Sequence, residues 1–364
     1  MRVLLIGEAS GVHHNLAAGL KTLGVDCTHV THASAQNFRK FKEAFSSSRS
    51  GALGGLSRNL SPFLKLAKLG RFDVVNFANA LSTIRGRFTR YRDLPLIRGR
   101  TRLMAYYALS CDEVGLIRRN PLLPYRPCET CLASGEILGR DCEREFNPAF
   151  ERSQERVREY FDFGASSMVE YGHVEELFGK RFARIPLPVD IDSIPFVPAQ
   201  PRDKPKVVHA PSRRGFKGTD VVLQALERLK RDRNDFEFRL IEGLPYDEYA
   251  REMLDADIVV DQVHSQSPGM SALESLAAGK VVLSGSTLLG RSYFPFSQSS
   301  PVLDAHPEPA RLAALLGSIL DTKDRFGDLA AKGRSYICDF HDKNLVAQQF
   351  LSAWSAQLER TATS

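Results

Sequence analysis

Residues 205–230, PKVVHAPSRRGFKGTDVVLQALERLK, and residues 255–285, DADIVVDQVHSQSPGMSALESLAAGKVVLSG, each spell a strand, a loop and a helix. In the first stretch the apolar run 207–210 reads as a buried strand. A basic turn with Arg213, Arg214, Gly215, Lys217 and Gly218 follows, and a helix is expected to begin near Thr219. Val221, Val222, Ala225, Leu226 and Leu229 recur at helical spacing and give that helix one core-facing stripe. Cations on a turn that leads into a helix sit beside outward-pointing backbone amides, which is a place to hold a diphosphate. The second stretch repeats the plan: a strand at 258–261, a loop of small residues, a helix with Glu274 in its first turns, Gly279, and a strand at 281–284. A carboxylate beside a diphosphate site can grip ribose hydroxyls. The plainer alternative is that these residues only cap helices in an ordinary α/β domain.

This half of the chain resembles the donor domain of GT-B glycosyltransferases, specifically the family 4 group. In that group an Arg and a Lys on the basic turn meet the diphosphate of a sugar nucleotide. A later E-x7-E motif meets the sugar with its first Glu and the ribose with its second. Arg213 and Lys217 fit the basic motif, and Glu274 fits the second Glu. Position 266 departs from the pattern, because Gln266 can hydrogen-bond hydroxyls but carries no charge. The resemblance implies that Gly215, Gly218 and Thr219 line the diphosphate, and that Gln266, Gly269 and Met270 line the sugar. His264 stands in the loop before Gln266 and is expected at the cleft; His209, in an apolar strand, reads as a satisfied core histidine.

The implied fold is α/β: two Rossmann-like domains whose parallel sheets face a central cleft. The implied activity is transfer of a sugar, with retention, from a nucleotide-diphosphate sugar to a glycan or lipid-linked acceptor, by family habit in bacterial surface-polysaccharide synthesis. No catalytic metal is expected, since enzymes of this fold need no bound metal for the chemistry. Two rivals stand beside this reading. One is a non-catalytic GT-B-like protein that binds a nucleotide sugar or a partner. The other is a sugar-nucleotide epimerase, which would need acid–base groups around the donor sugar.

Length and composition agree with two domains, since 364 residues with 43% hydrophobic content can fill two cores. The opening MRVLLIGEASGVHHNLAAGLKTLGVDCTHV reads as strand, glycine-bearing loop, helix and second strand, and resembles the acceptor domain of the same fold. Gly11 in that loop lets backbone approach a ligand, with Glu8, Ser10, His13 and His14 as polar company. Further strands are expected at 74–77 and 102–107. After the second, Asp112 matches the last residue of a His-Gly-Ser-Asp-like turn of the family, whereas the His position falls on Leu109. Prolines in the phrase RFARIPLPVDIDSIPF and the linker-like PAQPRDKP place a boundary near residue 198. The expected domains are 1–197, with a cysteine-rich insert at 111–142, and 198–340. A helix within 341–364, with Leu345, Val346, Phe350, Leu351 and Trp354 as its stripe, is expected to pack back on the first domain.

No apolar run approaches the length of a membrane-spanning helix, and the first strand starts too early to leave room for a signal peptide, so a cytoplasmic protein is expected. Residues 1–110 hold 17 Lys and Arg against 5 Asp and Glu, whereas residues 111–364 hold 32 against 38. Seven arginines fall between Arg85 and Arg102, and NFRKFKEAF and SPFLKLAKLGRF mix Phe and Leu with cations. Such a surface suits anionic lipid headgroups at the inner face of a membrane, or a lipid-diphosphate-linked acceptor, and the loop around Gly11 and the stretch Arg85–Arg102 are expected to face the acceptor; a solvated basic face is the alternative. No nucleic-acid-binding signature accompanies the charge. Ser-rich residues 46–55 read as a loop.

Four of the six cysteines, Cys111, Cys128, Cys131 and Cys142, lie within 32 residues among prolines and glycines. Four thiolates suit tetrahedral structural zinc; unliganded thiols are the alternative, and disulfides fit a reducing compartment poorly. Cys27 and Cys338 imply no chemistry.

Overall fold

The computed structural model describes residues 1–31, 68, 70–78, 91–111, 114, 115, 117–135 and 148–363. The basic segments at 37–45 and 61–67, the loop at 46–55, Asp112 and Cys142 lie outside the described residues. Among the described residues the strands form two sheets. The N-terminal sheet contains β1 (Arg2–Ile6), β2 (Asp26–Val30), β3 (Phe72–Ala78), β4 (Thr101–Ala108), β5 (Phe163–Ser166) and β6 (Phe182–Arg184), in the order β2-β1-β3-β4-β5-β6. The C-terminal sheet contains β7 (Lys206–His209), β8 (Glu237–Leu240), β9 (Ile258–Val260), β10 (Val281–Ser284) and β11 (Leu303–Asp304), in the order β11-β10-β9-β7-β8. Every pairing is parallel. The α/β expectation of two Rossmann-like units is borne out.

Parallel strands need helical crossovers, so both faces of each sheet are covered and the strands read as continuous apolar runs. Alternate residues then feed opposite cores. In β4, Leu103, Ala105 and Tyr107 enter one cluster, while Met104, Tyr106 and Ala108 enter the other. In the C-terminal sheet, Val207, Ile258 and Val260 pack on Val222, Ala225 and Leu226 of the helix Thr219–Asp232. Val208 and Val259 face the other way.

The chain joins the two halves twice, and the two junctions are paired. Val189 N–H donates to His341 O at 2.7 Å, and Lys343 N–H donates to Val189 O at 3.0 Å. The Lys343 ammonium also reaches Asp190 and, at 2.6 Å, Asp192. From there the helix Lys343–Thr363 lies on the helix Val12–Thr22 of the N-terminal half. Val346, Phe350 and Trp354 are fully buried there with Leu16, Leu20 and Tyr107, while Leu345 is exposed.

Buried histidines give this fold a dependence on pH. His13, His209 and His341 are held down to about 3, 4 and 4, in each case chiefly because burial disfavours the imidazolium. The unfolded chain takes up protons near the ordinary value of about 6.5 while the fold does not, so stability falls as pH drops below that point. Each histidine costs about 1.4 kcal/mol per pH unit between pH 6.5 and its folded value. Thermal melts of the full chain are expected to be level from pH 8 to 7 and to fall steeply between pH 6 and 5. A midpoint that holds down to pH 4 would contradict this account.

Candidate functional site

In open parallel sheets ligands settle beyond the C-terminal ends of the strands, where the strand order reverses. Here those points are β1/β3 and β7/β9. The loops that emerge there are 7–11 after β1, 210–213 after β7 and 261–269 after β9, which are the stretches singled out above.

The basic turn forms a single helical turn, Arg214–Lys217, and Gly218 breaks it at φ +74° before the next helix starts at Thr219. Only glycine suits that position, since a Cβ would lie 2.3 Å from Val263 Cγ2 as well as being strained. The break aims Lys217 across the end of the sheet. Its ammonium donates to Asp261 Oδ1 at 2.6 Å and Gln262 Oε1 at 3.1 Å, and Val263 N–H donates to Lys217 O at 3.2 Å. Lys217 is 12% exposed and Asp261 1%. An ammonium has three donors, so one remains for an incoming acceptor.

Thr219 is buried, and its hydroxyl meets His209 Nε2 at 2.9 Å while His209 Nδ1 meets Val260 O at 2.7 Å. His209 is the satisfied core histidine its strand suggested, and Thr219 serves it. Arg213 is engaged with other partners. Its guanidinium stacks 3.9 Å above the Phe216 ring and 3.9 Å from Cys131 Sγ. Arg214 pairs with Glu242 at 2.7 Å.

Glu274 rises from the helix Met270–Ala277, which Gly269 precedes, and borders a cavity of about 120 Å³. Tyr246, Tyr249 and Ser271 line it from the C-terminal half and Asn15 from the N-terminal half, with Asp190 at the junction. The Tyr249 hydroxyl lies 3.4 Å from Ser271 Oγ, and burial pushes it up to about 12, with Glu274 and Asp261 adding to the shift. Tyr249 thus shares the cavity with Glu274 and Ser271. Meanwhile Met270 is buried in the core cluster. Gln266 is also spent internally: Thr287 Oγ1 donates to its Oε1 at 2.8 Å, and its Nε2 donates to Tyr125 O at 3.3 Å. His264 is half-buried beside Gly218, and burial lowers its pKa.

On the facing side Gly11 caps the helix Val12–Thr22. The polar residues around it mostly bond one another. Glu8 accepts from His14 N–H at 2.9 Å, and His13 bridges Gly7 O at 3.1 Å and Asn76 Nδ2 at 3.0 Å. Leu109 is buried in the apolar core.

The cysteine segment reaches the site from across the cleft. The helix Pro127–Ala133 packs on the turn Arg214–Lys217, so closely that a Cβ on Gly215 would fall 2.2 Å from Ser134 Oγ. Cys111 is drawn well below the usual thiol range, first by its hydrogen bond with Cys128 and then by the Arg213 charge, against burial. Among the described residues no group of three His, Cys, Asp or Glu is arranged to hold a metal ion, so Cys111, Cys128 and Cys131 lend the zinc expectation no support.

The arginine run needs a correction. Arg98, Arg100 and Arg102 lie at the N-terminal end of β4, about 25 Å from the strand end that meets the cleft. Arg98 pairs with Asp162 and Arg102 with Asp73. These three cannot face an acceptor in the cleft. Two residues that sequence reasoning missed are Tyr249 and Glu170; the latter caps the loop amides of Gln266 and Ser267 from the N-terminal half. No helix among the described residues is long and apolar enough to cross a membrane.

No family model matches the chain, and no curated protein matches it significantly in sequence. Solved structures do match in fold over nearly the whole length. HepE of Anabaena, solved with UDP and glucose, superposes with a TM-score of 0.61 at 13% identity, over 98% of this chain and 100% of that one. Sucrose-phosphate synthase of Thermosynechococcus elongatus gives 0.62 at 13%, over 100% of both chains. A Listeria monocytogenes protein assigned provisionally as a UDP-N-acetylglucosamine 2-epimerase gives 0.54 at 11%, over 99% and 97%. The fold is GT-B.

Proposed function

We propose that this chain is a glycosyltransferase that moves a sugar from a nucleoside diphosphate to an acceptor hydroxyl in the cleft, with retention at the anomeric carbon. The observation that carries the reading is Lys217, a nearly buried ammonium with one uncommitted donor at the β7/β9 reversal point. Cleavage of the bond between the anomeric carbon and the diphosphate oxygen puts negative charge on the leaving group. Lys217 and the amides of its turn would meet that charge in a low-dielectric crevice, where such contacts count most. Glu274 would accept from the ribose hydroxyls, and Tyr249 would hold that cavity closed beside it. Arg213 would add a second cation by turning from Phe216. The positive excess of the first 110 residues would suit an anionic membrane surface that presents a lipid-linked acceptor, rather than the cleft itself.

The non-catalytic reading keeps one observation in its favour, the internally engaged side chain of Gln266. Calorimetry with UDP-, GDP- and ADP-sugars tests both. One class is expected to bind, with UDP-glucose tried first because HepE is solved with UDP and glucose. Glu274→Ala is expected to weaken that binding by about tenfold or more, the value of one hydrogen bond to a charged group. No binding by any class overturns the transferase reading. Product analysis then separates the rest. Released nucleoside diphosphate marks a transferase, and a changed sugar without acceptor marks an epimerase. Binding with neither marks a binding protein.

A further inference from the structure

Glu170 stands in the turn Val169–Val174 that follows β5 and is fully buried, yet half of its carboxylate is idle. Oε1 accepts two bonds from the opposite half of the molecule, from Gln266 N–H at 2.7 Å and Ser267 N–H at 3.0 Å. Oε2 is buried without a partner. A buried carboxylate oxygen without a donor is costly to a fold, and such exceptions call for a role. Burial pushes the carboxyl above its ordinary range, which agrees with a group waiting for a donor.

Its surroundings are of the same kind. The Ser267 hydroxyl lies near the carboxylate without a completed hydrogen bond, and the hydroxyls of Ser167 and Tyr293 are likewise buried and unmatched. These three residues line a cavity of about 30 Å³ between the two halves of the chain. That is room for one water or one hydroxyl-bearing arm of a larger ligand. Arg291 and His341 also border the cavity but are bonded to the carbonyls of Ser286, Val302 and Leu187, so the unmatched groups on its wall are hydroxyls, which suit a hydroxyl-bearing ligand. The loop that carries Ser267 is the loop that leads to the lysine crevice through Gln262, whose Nε2 donates to Ser267 O at 2.9 Å.

We propose that Glu170 supplies, from the N-terminal domain, the carboxylate that holds a hydroxyl of the donor's sugar and so sets which sugar is accepted. This rests on the donor reading above. Gln266, in the position the family resemblance assigns to the sugar, has both ends of its amide engaged, whereas Glu170 Oε2 beside it is uncommitted. The carboxylate and the loop come from the two halves of the chain and are already joined by the Gln266 and Ser267 amides, so Oε2 is held in place before a donor arrives.

Glu170→Gln is a clean probe, since the amide oxygen can still accept from Gln266 and Ser267 while only Oε2 is replaced by a donor. On the full chain, dissociation constants are compared for UDP against UDP-glucose and for GDP against GDP-mannose. The variant is expected to bind the bare diphosphate within about twofold of wild type and the sugar nucleotide about tenfold more weakly, the worth of one charge-assisted hydrogen bond. Ser267→Ala, which keeps the backbone amide, serves as a second variant should Glu170→Gln melt below the assay temperature. An expected fall of about threefold in the same ratio reflects loss of a neutral hydroxyl contact. Diphosphate and sugar nucleotide weakened equally would show that Glu170 only holds the cleft, and an unchanged ratio would show that Oε2 meets water alone; either overturns the proposal. If wild type binds none of the four nucleotides, the donor reading itself fails and takes the proposal with it. If wild type binds them and only the ratio is unmoved, the donor reading survives.

Discussion

Lys217→Ala is expected to lower turnover by about 100- to 1,000-fold, the usual effect of deleting one preorganised group aimed at developing charge. The side chain is nearly buried, its orientation is fixed by two acceptors, and its third donor is free for the leaving diphosphate. The same substitution strips Asp261 of its cation, although the Ser284 hydroxyl still donates to it at 3.0 Å. Breaking a buried pair from one side costs about 3–5 kcal/mol, so the variant should also melt earlier. The two effects can be separated. Lys217→Met with Asp261→Asn removes both charges and should recover most of the lost stability while leaving turnover at the level of Lys217→Ala. Lys217→Arg keeps the charge but alters its reach, and should fall between. Activity in the double variant near wild type would mean that Lys217 is a structural ion-pair partner and that the leaving group is stabilised elsewhere.

The residues that announced this site did so through local pattern. Strand, basic turn, glycine and helix follow one another within 26 residues, and each step is dictated by neighbours in sequence. Apolar runs fixed β7, β9 and β10 to within a residue because parallel strands are buried on both faces. Gly218 reads from sequence as part of the basic turn, and the fold adds that it takes positive φ between two helical segments. Pattern failed where partners come from far along the chain. Nothing in residues 168–172 marks Glu170, whose role depends on amides 96 and 97 positions away. Gln266 sat where a sugar contact was expected, and only the fold reveals that Thr287 and Tyr125 occupy its amide. Arg213 likewise carries the right chemistry at the right spacing, but Phe216 and Cys131 engage its guanidinium. The arginine run misled for a different reason. A count of charge along the sequence does not say which end of a strand it lies at, and β4 carries Arg102 at the end away from the cleft.

Trp354→Ala is expected to cost about 3–5 kcal/mol of unfolding free energy, the range for removing a fully buried large aromatic. Trp354 belongs to the last helix but packs in the N-terminal core, with its ring 5.1 Å from Phe350, itself 4.9 Å from Tyr107 of β4. The lost volume is therefore felt in a different part of the chain from the one that contributes it. Its indole N–H is buried without a hydrogen-bond partner. Trp354→Phe discards that unmet donor along with some volume, and should cost about 1–2 kcal/mol at most, since the penalty of an unsatisfied group is removed with it. Denaturant titration of the three proteins, monitored by circular dichroism, reads the difference directly. The donor crevice lies on the other sheet, so the Kd for a nucleoside diphosphate measured below the melting range should stay within about twofold of wild type, as expected for distant, independent sites. A large loss of affinity in Trp354→Ala would instead show that docking of the last helix sets how the two halves meet across the cleft. The paired junctions at Val189 and Lys343 would then transmit that change to Lys217 and Glu274.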